Sequence, residues 1–143
     1  MNSNQMIIRN FIESHPADAA RILEALKIQD IVSFIKEIPV DLTVRIIAKI
    51  DRHSAAKCLE ALDTDRSAKI IGRLPLEIAA VFIRRISKDL QEPLLNAVSK
   101  DIANTLRRML RYPEDTAAGL MNPLALALPE DITVKEALKQ VKK

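Results

Sequence analysis

Residues 58–89 read CLEALDTDRSAKIIGRLPLEIAAVFIRRISKD, and one pattern passes through them three times. Cys58-Leu59 leads to Leu62, Ile70-Ile71 to Leu74, and Phe82-Ile83 to Ile86, each followed by a residue that ends or caps helices: Asp63, Pro75, Ser87. The period is twelve. Working outward, the anchor column holds Leu26, Ile38, Ile50, Leu62, Leu74, Ile86, Val98 and Leu110. Four residues before each anchor stand Ile22, Phe34, Ile46, Cys58, Ile70, Phe82, Leu94 and Leu106. All sixteen are apolar in a chain that is 48% hydrophobic, which chance delivers about once in 10⁵ for a given register. The column three before the anchor is apolar as well, apart from Arg107. Spacings of three and four align these columns on one helical face.

Directly after the anchors come Pro39, Asp51, Asp63, Pro75, Ser87 and Ser99. Three residues after them stand Asp41, Asp65, Glu77, Asp89 and Asp101, with Gln29 and His53 as exceptions. Acids suit a cap or first-turn position, where backbone N–H groups are free and the helix end is positive. Each unit therefore reads as a helix of two to three turns plus a tight turn. Helices that short are marginal alone, because nucleation is costly and few bonds repay it. They must stack. The expected fold class is all-α: a superhelix (solenoid), right- or left-handed, of short helices with a period of about 12 residues. A two-helix unit of about 24 residues is shorter than TPR, ankyrin or HEAT periods, which argues against those families. Pro93 disturbs one unit: either its helix starts near Glu92, or the helix is distorted.

Composition narrows the function. Of 143 residues only two are glycine and none is tryptophan, which favours helices with aliphatic cores. The net charge of +3 arises from interspersed cations and anions, without the basic stripe of a nucleic-acid binder. Tyr112 is the one tyrosine, leaving bases little to stack on. Nucleic acid is not an expected partner. The apolar runs are a few residues long, against about 20 for a membrane span, so no direct membrane insertion is expected. Cys58 is the sole cysteine, consistent with a cytoplasmic setting. His53 and Cys58, five apart, do not share a helix face, and Cys58 fills a core column. His15, before Pro16, reads as a helix cap. No glycine-rich phosphate loop or catalytic constellation is present, so the chain is read as no enzyme.

Beyond Leu110 the period stops. Arg107, Arg108 and Arg111 suit the negative end of the last helix, and Tyr112-Pro113 ends it. Leu124, Leu126 and Leu128 then alternate with alanines between Pro123 and Pro129, a five-residue strand. Thr133 and Glu136 have capping-box spacing before a stripe of Val134, Ala137, Leu138 and Val141. One strand and one helix cannot complete a sheet, so this β-α piece wants partners.

His15-Pro16-Ala17-Asp18, followed by short helices with Leu-Pro and Leu-Asp junctions, resembles the N-terminal domain of MgtE-type magnesium transporters. Residues 112–121, YPEDTAAGLM, resemble that family's junction with its CBS pair, with Ala118 replacing the first of two usual glycines. Residues 121–138, MNPLALALPEDITVKEAL, resemble the opening of a CBS domain. The resemblance implies three regions: 1–111 a helical regulatory domain, 112–121 a connector, and 122–143 an incomplete CBS domain start. It implies a cytosolic magnesium-sensing domain that gates ion transport, in a homodimeric parent whose CBS domains and transmembrane domain are its partners. Mg²⁺ would bridge acidic groups between domains and favour the closed pore, and by position Asp89 and Glu92 are the counterparts of the metal-binding acids. Half of each site would lie elsewhere, so Mg²⁺ binding by this chain alone is expected to be weak. Asp89 also reads simply as a helix-end acid, and Glu92 as a solvated charge. Two other functions fit the repeat: a protein-interaction solenoid like the flagellar rotor switch protein, or a free-standing CBS-containing regulator.

Overall fold

The computed structural model describes residues 3–114, 116 and 132–136. The described residues contain no strand. Their helices are α1 (Ser3–Ser14), α2 (Pro16–Glu24), α3 (Ile28–Glu37), α4 (Val40–Ile47), α5 (Arg52–Ala61), α6 (Thr64–Ile71), α7 (Leu76–Arg85), α8 (Lys88–Ala97) and α9 (Lys100–Leu110). Each packs on the helix two further along: α3 on α5, α5 on α7, α7 on α9 in one row, and α2 on α4, α4 on α6, α6 on α8 in the other. α1 lies against α2 and α4. This is the stacked superhelix that the period implies. The predicted strand 124–128 lies outside the described residues. The capping box is formed: Thr133 N–H and Oγ1–H donate to Glu136 Oε2 at 3.0 and 2.8 Å.

The core is aliphatic and continuous between the rows. Ile46, Cys58, Ile70 and Leu106 are fully buried, and Phe82 and Leu94 nearly so. The anchors Ile38, Ile50, Leu62, Leu74 and Ile86 close the junctions between helices. The first unit differs. Ile22 and Leu26 occupy the same columns yet are 57% and 47% exposed, because no further described helix stacks beyond them.

The twelve-residue period conceals a longer one. α3, α5 and α7 end at Ile38, Leu62 and Ile86 in extended conformation, and the next helix begins two residues on. α4 and α6 instead end at Ala48 and Gly72 in right-handed helical conformation and need four connecting residues. Two unlike corners thus alternate from α3 to α7 in units of 24 residues, and α8 breaks the alternation, ending at Val98 in extended conformation with α9 two residues on. The breaker column is the N-cap: Asp51 accepts from the N–H groups of His53 and Ser54, and Asp63 from that of Arg66 at 2.8 Å. The periodic acids sit two residues later, inside the first turn, where they complement the positive helix end without capping it. Pro93 lies within α8, which begins at Lys88. The helix therefore does not start near Glu92, and the Asp89 carbonyl lacks an N–H four residues on.

Long-range ties join helix ends, and three of them come from one column. Glu24, Glu60 and Arg84 each stand two residues before an anchor. Glu24 Oε1 accepts from the Asp51 N–H at 2.7 Å, at the start of α5. Glu60 Oε1 accepts from the Ser87 hydroxyl at 2.6 Å and N–H at 2.7 Å, at the start of α8. Arg84 Nη2 donates to the Met109 and Tyr112 carbonyls at the end of α9. Acids meet positive helix ends and the base meets a negative one.

The Ser87 hydroxyl, then its N–H, and the nearby Lys57 ammonium hold the Glu60 carboxyl below its usual range. The stability this contributes is complete above the ordinary glutamate range, about 4.3, and is lost as pH falls through the lower folded value. Glu60→Gln is therefore expected to flatten the acid-side loss of stability. Urea midpoints measured from neutral pH down to about pH 3 check this, since a carboxylate tie should respond there and an amide should not. An unchanged slope would remove Glu60 from the acid response.

Candidate functional site

Asp89 and Glu92 lie three residues apart near the start of α8, and both are exposed. Glu92 already has a partner. Arg107 on α9 places Nη2 at 3.0 Å from Glu92 Oε2 and 2.8 Å from Asn96 Oδ1. This accounts for Arg107 as the polar exception in its column: it reaches α8 and joins two helices that pack together. Among the described residues, no group of three or more His, Cys, Asp or Glu side chains could hold a metal ion. Mg²⁺ prefers octahedral oxygen coordination, keeps several waters and uses one or two carboxylates. Asp89 and Glu92 are two carboxylates three residues apart on α8. Any ion there competes with the Arg107 guanidinium for Glu92.

A second charged cluster lies where the chain leaves the helices. Glu114 Oε1 is 3.1 Å from Arg52 Nη1 on α5, and its Oε2 is 3.3 Å from Arg85 Nη1 on α7. Together with Arg84 on the Tyr112 carbonyl, these bonds lash the exit of α9 back across the α5–α7–α9 row. The last turn of α9 carries Arg107 and Arg108 as expected, but its end carbonyls are met by Arg84 from α7. Sequence spacing held no signal for Glu114, since its partners stand 62 and 29 residues away.

The remaining candidates come apart. Cys58 is buried, and burial, followed by the charge of Asp51, pushes its thiol up to about 11. A thiol so buried and so weakly acidic is neither nucleophile nor ligand at neutral pH. His53 is exposed in the first turn of α5. His15 stands at the N-cap of α2 but makes no side-chain cap bond. Its ring stacks on Phe11 at 5.7 Å instead.

The region bounded by these features, from the His15 corner to the Glu114 clasp, is the region that a known family covers: the family described as MgtE intracellular N domain matches residues 14–115. The chain belongs to this family. No curated protein and no solved structure matches the chain. As an MgtE N domain it is a cytosolic domain of a magnesium transporter, whose parent carries a transmembrane domain. The family is one of transporter regulatory domains and not of enzymes. No helix of the described residues of this MgtE N domain is long and apolar enough to cross a membrane. The match begins at Ser14 and takes in α2 through α9, leaving α1 outside except for its last residue.

Proposed function

We propose that this MgtE N domain is the magnesium-responsive regulatory element of its parent, gating ion transport through contacts with CBS domains. The observation that carries this reading is the family match over residues 14–115. Further support comes from the paired carboxylates of α8. Asp89 and Glu92 offer half of a hydrated Mg²⁺ site, and an opposing acidic surface would supply the rest. Facing carboxylates repel one another without the ion and are joined by it, so cation concentration biases a two-state arrangement of domains. Arg107 sets the balance within this domain by neutralising Glu92 when no ion is bound. The clasp of Glu114 with Arg52 and Arg85 fixes where the connector leaves the helices, so a shift of the following domain bears on α5 and α7.

Paired thermal-melt titrations with Mg²⁺ test the reading, on this chain and on a cytosolic region containing both CBS domains, at constant ionic strength to remove general screening. This chain is expected to bind no better than about millimolar, and at ten times such a dissociation constant the stabilisation is only about 1.4 kcal/mol. The longer region is expected to become more compact and protease-resistant as Mg²⁺ rises, with Asp89→Asn and Glu92→Gln blunting the response. Micromolar binding by this chain alone would overturn the interdomain model. No response from either would favour a protein-interaction solenoid.

A further inference from the structure

Among the described residues, the outermost helices leave a groove with no cover. It has a volume of about 380 Å³ between α1, α2 and the starts of the two rows, and Ile8, Phe11, Ile12, Ile22, Leu26 and Phe34 are among its apolar lining. Around it Met6, Ile7, Ile8, Phe11, Ile22 and Leu26 are between 38% and 66% exposed. Together these six side chains leave on the order of 600 Å² in water, the upper end of what a monomer usually exposes in one patch. A standard interface buries about 800 Å² per partner, so this face with a modest polar rim is large enough for one.

Three observations indicate what covers it. Ile22 and Leu26 belong to columns that are buried in the middle units of the repeat, so the missing neighbour is another stack of the same short helices. The rim is also neutral. Between residues 3 and 27 the cations Arg9, Arg21 and Lys27 balance the anions Glu13, Asp18 and Glu24, while the chain as a whole carries +3. A two-fold interface opposes a patch to itself, which a one-signed rim would resist and a mixed rim permits. Arg9–Glu13 and Arg21–Asp18 are already paired within the chain, leaving little uncompensated charge to select an acidic or basic partner. Finally, Met6 on α1 is 52% exposed and is not among the groove's lining, so it adds apolar surface that a facing copy would cover.

We propose that the α1–α2 face is a homotypic interface, through which two copies of this domain stack end to end about a two-fold axis. Interfaces of this size span a wide range of strength, and one without buried polar bonds is expected to be weak, with a dissociation constant of about 1–100 μM. The proposal does not depend on magnesium.

Sedimentation equilibrium of the full 143-residue chain tests it. Wild type is expected to show a monomer–dimer equilibrium, and Ile7→Glu with Ile22→Glu to raise its dissociation constant at least about 100-fold with unchanged helical circular dichroism. Val134→Glu, at an exposed position outside the face, is expected to leave it unchanged. Methyl resonances of wild type on dilution provide a readout that needs no variant: shifts should be confined to the methyl groups of α1 and α2. A chain that stays monomeric up to about 1 mM, a dimer that survives the double substitution in folded protein, one lost in Val134→Glu, or shifts centred on other helices would each overturn it.

Discussion

Phe82→Ala is expected to lower the unfolding free energy by about 3–5 kcal/mol, while Ile22→Ala, in the same column of the repeat, costs under about 1 kcal/mol. Phe82 is 2% exposed in the middle of α7, and Ile22 is 57% exposed on the outermost unit. Truncating a buried ring removes its transfer free energy and leaves a cavity that rigid neighbours fill only in part. α7 packs on both α5 and α9, so the hole opens on two interfaces and neither helix can close it alone. Ile22 already faces water, and its loss leaves no void. Ile70→Ala, fully buried on α6, should fall with Phe82, at about 2–5 kcal/mol. Denaturant midpoints at constant slope read all three. Equal costs for Phe82 and Ile22 would mean that the outer face is covered in solution at the concentration used.

Arg66→Met is expected to cost about 1–3 kcal/mol, although Arg66 stands on a polar position of its helix. Its Nη2 donates to the Ile35 carbonyl and, at 2.6 Å, to that of Ile38, both at the end of α3, whose last carbonyls have no partner within the helix. Bonds from a charged donor contribute more than neutral ones, and methionine would fill the same space while leaving two carbonyls without a donor. The buried Arg66 Nε–H has no partner among the described residues, and removing it offsets part of the loss. Chemical denaturation of Arg66→Met beside Lys69→Ala separates the tie from a general surface effect, since Lys69 on the same helix is exposed and should change by at most about 0.5 kcal/mol. If the two variants matched, Arg66 would be a solvated charge.

The helices were legible because their signals are local. Apolar residues at spacings of three and four, a breaker after six of the anchors and an acid in most first turns point to α2 through α9 without knowledge of their neighbours. α1 was not legible in that way: Asn10 and Ser14 fall in the periodic columns, and it packs on α2 and α4 through Ile12. The candidate acids show the same division. Periodicity puts Asp89 at a helix start, but nothing in the spacing of Glu92 and Arg107, fifteen residues apart, announces that they meet.

By itself the sequence determined that this chain is a stack of short helices, where most of them begin, and which face of most turns inward. Those properties depend on residues within one or two turns, where backbone geometry relates spacing to direction. Only the tertiary structure decided that the two helices of a unit end in unlike corners from α3 to α7, and that α8 departs from them. It also decided that Glu24, Glu60, Arg66 and Arg84 bind the ends of distant helices, and that the first unit keeps its apolar columns in water. A periodic sequence specifies every unit alike, and stacking distinguishes them, because a helix at the end of a row has one neighbour where an interior helix has two.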